Sequence, residues 1–119
     1  IILVGQKDKL EILDYLQNAD VFILSSLKET FSVVCIEAMS QGVPVIATSC
    51  GGPEEFVEEK DGLLIKPNDV EALKEAIIKM VSTYRLYDRN LISDDCLKRF
   101  SPNVIATKLT NIFTNIVKQ

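Results

Sequence analysis

The stretch VFILSSLKETFSVVCIEAMSQGVPVIAT, residues 21–48, decides the fold class of this chain. It opens on an apolar run, Val21-Phe22-Ile23-Leu24, that breaks at Ser25-Ser26, and it closes on a second, Pro44-Val45-Ile46-Ala47-Thr48. Both runs are short, continuous and largely aliphatic or β-branched, as expected of strands buried on both faces. Between them Phe31 to Gln41 reads as a helix, and Gly42 is a good C-terminal stop. Two such strands around one helix form a β-α-β unit, which calls for parallel pairing.

The same alternation extends outward in both directions. Ile1-Ile2-Leu3-Val4, ending at Gly5, and Leu63-Leu64-Ile65, ending at Pro67, read as further strands. Lys7 to Ala19 reads as a helix with Leu10, Leu13, Leu16 and Ala19 on one stripe. A short helix is expected from Pro53 to Glu59, with Pro in its first turn. Asn68-x-x-Glu71 resembles a capping box for a helix through Val81. Thr83 to Phe100 is charged and helical in pattern. Ser101-Pro102 then starts a helix with Ile105, Leu109, Ile112, Phe113, Ile116 and Val117 on one face. The expected architecture is α/β: a Rossmann-like parallel sheet with helices on both faces, forming one partial domain over residues 1–119.

Composition narrows the function classes. With 13 basic against 17 acidic residues the net charge is −4, and the bases are scattered. No basic stripe exists for nucleic acid and no polybasic patch for a membrane surface. Histidine is absent, which removes His-based general catalysis and His-containing triads and zinc sites from this chain. Cys35, Cys50 and Cys96 have no C-x-x-C spacing and read as reduced thiols of a cytoplasmic protein. Association of a longer, full-length protein with a membrane is left open by that reading. No apolar run approaches the roughly 20 residues of a transmembrane helix. The chain starts without Met and directly in a strand-like run, so it is expected to be a piece of something longer.

Between Glu29 and Glu54 the one charged residue is Glu37, in the apolar segment 31–39. A carboxylate taken out of water without partners costs several kcal/mol, and the segment has no Lys or Arg to neutralise it. Hydroxyl groups of a ligand are a candidate partner. In parallel α/β sheets ligands bind at the carboxyl ends of the strands. Glu29 lies in the loop at that edge after Leu24. The helix from about Phe31 aims its amino end there, with the N–H groups of Ser32, Val33 and Val34 suited to phosphate. Glu37 follows about a turn and a half later, on the side of Val33, Val34 and Gln41. An acid, an anion cradle and a second acid suit the diphosphate and hydroxyls of a nucleotide-sugar. A capping Glu29 with a core Glu37 satisfied by backbone is an equally available reading. A glycosidase acid pair is a weaker rival, because the phosphate cradle then has no role. Gly51 and Gly52 could let backbone approach a ligand or simply turn the chain. Lys28 could touch phosphate or be a solvated loop residue. Gly62 reads as a turn into the last strand.

Taken in order, these motifs resemble the carboxyl-terminal domain of the retaining GT-B glycosyltransferases, group 1 (family GT4). That pattern is a strand ending in Ser-Ser, then Glu-x-Phe-x5-Glu-Ala, Gly-x-Pro-Val, Gly-Gly and Gly-x-Leu-x2-Pro, found here between Ala19 and about Val81. The resemblance implies transfer of a sugar from a nucleotide-sugar, with UDP-sugar the commonest donor class, and with retention of configuration. Glu37 matches the Glu that holds the ribose hydroxyls. Glu29 matches the Glu near the transferred sugar, supporting charge at the anomeric carbon. Main-chain N–H groups from Phe31 through Ser32, Val33 and Val34 match the diphosphate and sugar contacts. The donor phosphate is thought to accept the acceptor's proton, so the family needs no His here, no cofactor and usually no metal. Ser32 departs from the usual Gly after Phe31. The family's phosphate-clamping Arg and Lys and its acceptor domain belong upstream of Ile1, so the isolated fragment is expected to be inactive. A non-catalytic nucleotide-sugar-binding or regulatory domain is the alternative. The resemblance also places Ile1-Val4 as the third strand of a 3-2-1-4-5-6 sheet lacking its first two strands. The strands at 21–24, 45–47 and 63–65 should then be adjacent and parallel. Ile1-Val4 should pair beside Val21-Leu24, or upstream residues or another chain should cover that edge.

Overall fold

The computed structural model of the chain describes residues 2–28 and 32–100. The order is α1 (Lys9–Asn18), β1 (Phe22–Leu24), α2 (Val33–Ser40), β2 (Val45–Thr48), a 3-10 turn (Pro53–Glu55), β3 (Gly62–Ile65), α3 (Val70–Thr83), a second 3-10 turn (Tyr84–Leu86) and α4 (Arg89–Arg99). The three strands form one parallel sheet in the order β1-β2-β3, with Phe22 opposite Val45 and Val45 opposite Gly62. That is the expected adjacency and direction.

Side-chain alternation along β2 assigns the layers. Val45 and Ala47 pack with Leu16, Ile36, Met39, Ile92 and Cys96, so α1, α2 and α4 cover one face. Ile46 packs with Ala76 and Met80, so α3 covers the other. All four residues of β2 are buried, as a central strand flanked by helices on both faces requires. No helix among the described residues is long and apolar enough to cross a membrane.

Several expected boundaries move, each for a local reason. Residues 2–4 form no strand, and Ile2 and Leu3 are 86% and 94% exposed. β1 pairs only with β2 among the described residues, so 2–4 have no ladder to join and no layer to cover them. Ile1 lies outside the described residues. Helix α1 starts two residues late because Asp8 caps it, accepting from the Glu11 amide at 2.9 Å. Its buried stripe runs through Ile12, Leu13 and Leu16 rather than Leu10, which is exposed. The helix expected over 53–59 is a single 3-10 turn. Asp69, not Asn68, caps α3, because Asn68 takes a left-handed φ of 55° and hands the cap on. The segment 83–100 divides at Asp88, which caps α4. The helix expected beyond Ser101 lies outside the described residues. Gly42 ends α2 as anticipated. Its φ is 77°, its amide donates to Met39 and the Val43 amide to Ala38, a Schellman closure.

A charged cluster with no counterpart in the sequence reading ties α4 to the segment before β3. Asp61 is fully buried. Its Oδ2 accepts from the Glu58 amide at 3.0 Å and lies 3.3 Å from Arg99 Nη2 and 3.4 Å from Lys60 Nζ. Arg99 Nη1 also donates to the Phe56 carbonyl at 2.8 Å. Its Nε sits 2.8 Å from Asp95 as an ion pair that is off hydrogen-bond alignment. Glu58, Asp61 and Asp95 hold oxygens within 4.8 Å of one another, a spacing that could suit a cation. Lys60 already fills that role, with Nζ 2.7 Å from Glu58 and 2.8 Å from Asp95.

Breaking a buried ion pair costs about 3–5 kcal/mol. Arg99 is 26% exposed and Lys60 stays beside Asp61, so Arg99→Leu is expected to cost about 2 kcal/mol in urea unfolding of the full-length protein. The same cluster sets an acid limb. Hydrogen bonding from Lys60 holds the Glu58 and Asp95 carboxyls below the usual range. Depressed carboxyls contribute stability that is present above their ordinary values, about pH 4, and lost as pH falls through the folded ones. Lys60→Met is therefore expected to flatten the fall in unfolding midpoint between about pH 5 and 3.

Candidate functional site

The carboxyl ends of β1, β2 and β3 share one edge, where chain reversals gather the loops. After β1 the chain enters 25–28, and after β2 it enters Ser49–Gly52. The Thr48 hydroxyl, on a residue 3% exposed, donates to the Ser26 carbonyl at 2.6 Å and joins the two loops. A cleft of about 190 Å³ opens at the same edge, with Ser25, Leu27, Thr48, Ile65 and Lys66 on its wall.

Helix α2 brings its amino end to this edge. Ser32 is buried and caps it, its hydroxyl accepting from the Cys35 amide at 3.3 Å. The Ser32 side chain is thus spent on the helix. The amides of Val33 and Val34 have no acceptor among the described residues, and they carry the positive end of the helix dipole. Buried Cys35, Ile36, Ala38 and Met39 fix the rotation of α2, leaving Val33, Val34, Glu37 and Gln41 on its outer side.

Glu37 is therefore half-buried rather than sealed in the core, and the desolvation cost is smaller than its apolar sequence setting suggests. Its backbone carbonyl accepts from the Ser40 hydroxyl at 2.6 Å and from the Gln41 amide. Its carboxylate has no hydrogen bond or ion pair among the described residues. The reading of Glu37 as a core acid satisfied by backbone finds no such donor there.

The other candidates fall as follows. Glu29 and Phe31 lie outside the described residues. Lys28 is exposed at the end of the loop after β1. Gly51 is exposed at a φ of 116°, and its amide donates to the Glu54 carboxylate at 2.8 Å. Gly52 is buried and precedes the 3-10 turn. Sequence reasoning missed Glu54 and the Thr48–Ser26 tie. A Glu three residues after a Gly and a Thr at a strand end are too common to single out.

The cysteines are buried and unpaired. Burial, then the neighbouring Cys96, Asp61 and Cys50, pushes the Cys35 thiol up to about 12. Burial likewise raises Cys96 to about 11. Thiols held protonated in this way are packing groups, not nucleophiles.

Comparison with known proteins agrees with this architecture. The family of glycosyl transferases group 1 matches residues 1–92. Sucrose-phosphate synthase 4 of Arabidopsis thaliana is 40% identical over 68 residues, 56% of this chain and 6% of that protein. The sucrose-phosphate synthase structure from Thermosynechococcus elongatus superposes with a TM-score of 0.81 at 29% identity, over 98% of this chain and 30% of the other. Anabaena HepE, solved in complex with UDP, shares the fold at 24% identity and a TM-score of 0.69, over 85% of this chain and 29% of its own. The chain spans 20%, 6% and 26% of the length of the first three curated relatives it matches. A parallel three-stranded sheet with helices on both faces, a strand-edge site and a family match over most of its length lead to one assignment: the chain belongs to the group 1 glycosyl transferases.

Proposed function

We propose that this chain supplies part of the donor site of a retaining glycosyltransferase that uses a nucleotide-sugar, UDP-sugar by preference. The observation that carries the reading is on α2. The Val33 and Val34 amides at its amino end, with no acceptor among the described residues, lie at the carboxyl edge of the sheet, and Glu37, whose carboxylate has no partner among those residues, follows about a turn later on the outer side. Diphosphate oxygens would accept from the amides, aided by the helix dipole. Ribose hydroxyls would donate to Glu37 in charge-assisted bonds.

Glu29 belongs beside the transferred sugar, where its negative charge would stabilise an anomeric carbon gaining positive charge. The chain has no histidine, and the donor phosphate serves as the base that takes the acceptor's proton. No cofactor enters the step. By resemblance to the family, an upstream domain would bind the acceptor and upstream Arg and Lys would clamp the diphosphate. Buried thiols at Cys35, Cys50 and Cys96 support a cytoplasmic setting.

A screen of UDP-sugars with the full-length protein and its product analysed for anomeric configuration tests the reading. An inverted product would overturn the retaining assignment. In the same assay Glu29→Ala is expected to lower kcat by about tenfold or more, while donor affinity changes less, because the contact strengthens in the transition state. Unchanged turnover would remove Glu29 from the chemistry.

A further inference from the structure

The ladder between β1 and β2 ends at Leu24 opposite Ala47. One residue further along β2, the Thr48 hydroxyl donates to the Ser26 carbonyl at 2.6 Å and carries the connection past the last strand pair. The donor stands on a rigid base. Thr48 is 3% exposed, it lies opposite Ile65 of β3, and the next amide, that of Ser49, donates to the Ile65 carbonyl at 2.8 Å. A β-branched side chain in such a place has little rotamer freedom. A hydrogen bond shielded from water is also stronger than an exposed one.

The loop on the acceptor side is the part that needs fixing. Leu27 is 69% exposed and Lys28 is exposed, so apolar packing does little to hold the chain after β1. The far end of the connection is fixed, because buried Ser32 caps α2 and the apolar side of α2 is packed in the core. Thr48 thus supplies an anchor before residues 27–31, and Ser32 supplies one after them. Glu29 lies between the two anchors in the sequence.

We propose that Thr48 is a positioning residue for sugar transfer: by holding the Ser26 carbonyl it sets where the loop that bears Glu29 crosses the donor edge. This rests on the role of Glu29 proposed above. Thr48 acts through the loop, not on the donor. The α2 amides and Glu37 are held by core packing instead, so losing the tie leaves donor affinity alone and misplaces the acid. A small misplacement is enough to slow a step that depends on orientation.

The test compares kcat, UDP affinity and urea unfolding in the full-length protein, with the UDP-sugar turned over in the screen above. Thr48→Val keeps the shape and the β-branch but has no hydroxyl. It is expected to lower kcat about tenfold while the dissociation constant for UDP stays within about twofold. Thr48→Ser restores the donor and should recover most of the turnover. Combined with Glu29→Ala, Thr48→Val should lower kcat little further, because the group it positions is gone. Arg99→Leu, destabilised in the charged cluster, should keep its kcat and so separates lost stability from lost positioning. Thr48→Ala also lacks the hydroxyl and gives the same comparison where Thr48→Val does not fold. The proposal is overturned by parental kcat in Thr48→Val, by no recovery in Thr48→Ser, or by an equal loss in Arg99→Leu. It is equally overturned if UDP affinity falls as far as kcat, or if the losses multiply in the double variant. A Glu29→Ala variant that slows while Thr48→Val does not removes Thr48 alone and leaves the donor-site reading standing. If Glu29→Ala turns over like the parent, or no UDP-sugar is turned over, that reading fails and the positioning role fails with it.

Discussion

Glu37→Ala in the full-length enzyme is expected to weaken nucleotide-sugar binding by 100-fold or more. On the donor-site proposal, two hydrogen bonds from ribose to a charged acceptor, each worth roughly 1.5–3 kcal/mol, would be lost together. The structure sharpens why the effect should be on binding rather than stability. Glu37 sits on the outer side of α2, half-buried, with its carboxylate in no bond among the described residues. Removing it therefore breaks no bond among the described residues, and alanine is the better helix former. The unfolding midpoint should stay the same or rise slightly while the dissociation constant for UDP rises. Glu37→Gln, which keeps the shape and one acceptor oxygen but not the charge, should lose about half of that free energy. A variant that unfolds at lower urea, or one whose UDP affinity is intact, would return Glu37 to the role of an ordinary helix residue.

That side of α2 was legible in the sequence because helical spacing leaves few choices. Cys35, Ile36, Ala38 and Met39 must go inward, and Glu37 cannot follow them. The three strands were legible for a similar reason: continuous apolar runs ending at Ser, Thr or Pro have no comfortable home except a sheet covered on both faces. Residues 2–4 have an equally apolar run and make no strand, because a strand also needs a partner, which sequence pattern does not supply. The Asp61–Arg99 pair spans 38 residues, and the Glu54–Gly51 bond depends on one side chain turning back on the chain. Neither leaves a periodicity to read. The shift of the α3 cap from Asn68 to Asp69 is of the same kind, decided by which of two neighbouring residues accepts the left-handed conformation.

Gly62 is the position where sequence and structure differ most in consequence, and Gly62→Ala is expected to cost more than 4 kcal/mol of stability. A turn into β3 is the whole of what the sequence suggests for it. In the sheet it stands opposite Val45, and a Cβ there would run into the carbonyl oxygen of Val45 and come within 2.7 Å of its carbonyl carbon and 2.8 Å of its nitrogen. These are backbone atoms of a fully buried central strand, so no side chain can rotate away to make room. Relief requires β3 to move off β2. That movement breaks the bond from the Val45 amide to the Asp61 carbonyl and drags the buried Asp61 carboxylate away from Arg99 and Lys60. Losses of a ladder contact and of a buried charge's partners fall in the small class of mutations above about 4 kcal/mol. A domain whose whole stability is about 5–15 kcal/mol has little left after that. Gly5→Ala is the contrast. It has a φ of 73° but nothing within 4 Å of the added carbon, so only the backbone conformation resists, at about 1 kcal/mol. Measured side by side by urea unfolding of the full-length protein, Gly62→Ala should unfold far earlier than Gly5→Ala. If the two variants unfold together, β2 and β3 do not approach as closely as this packing requires.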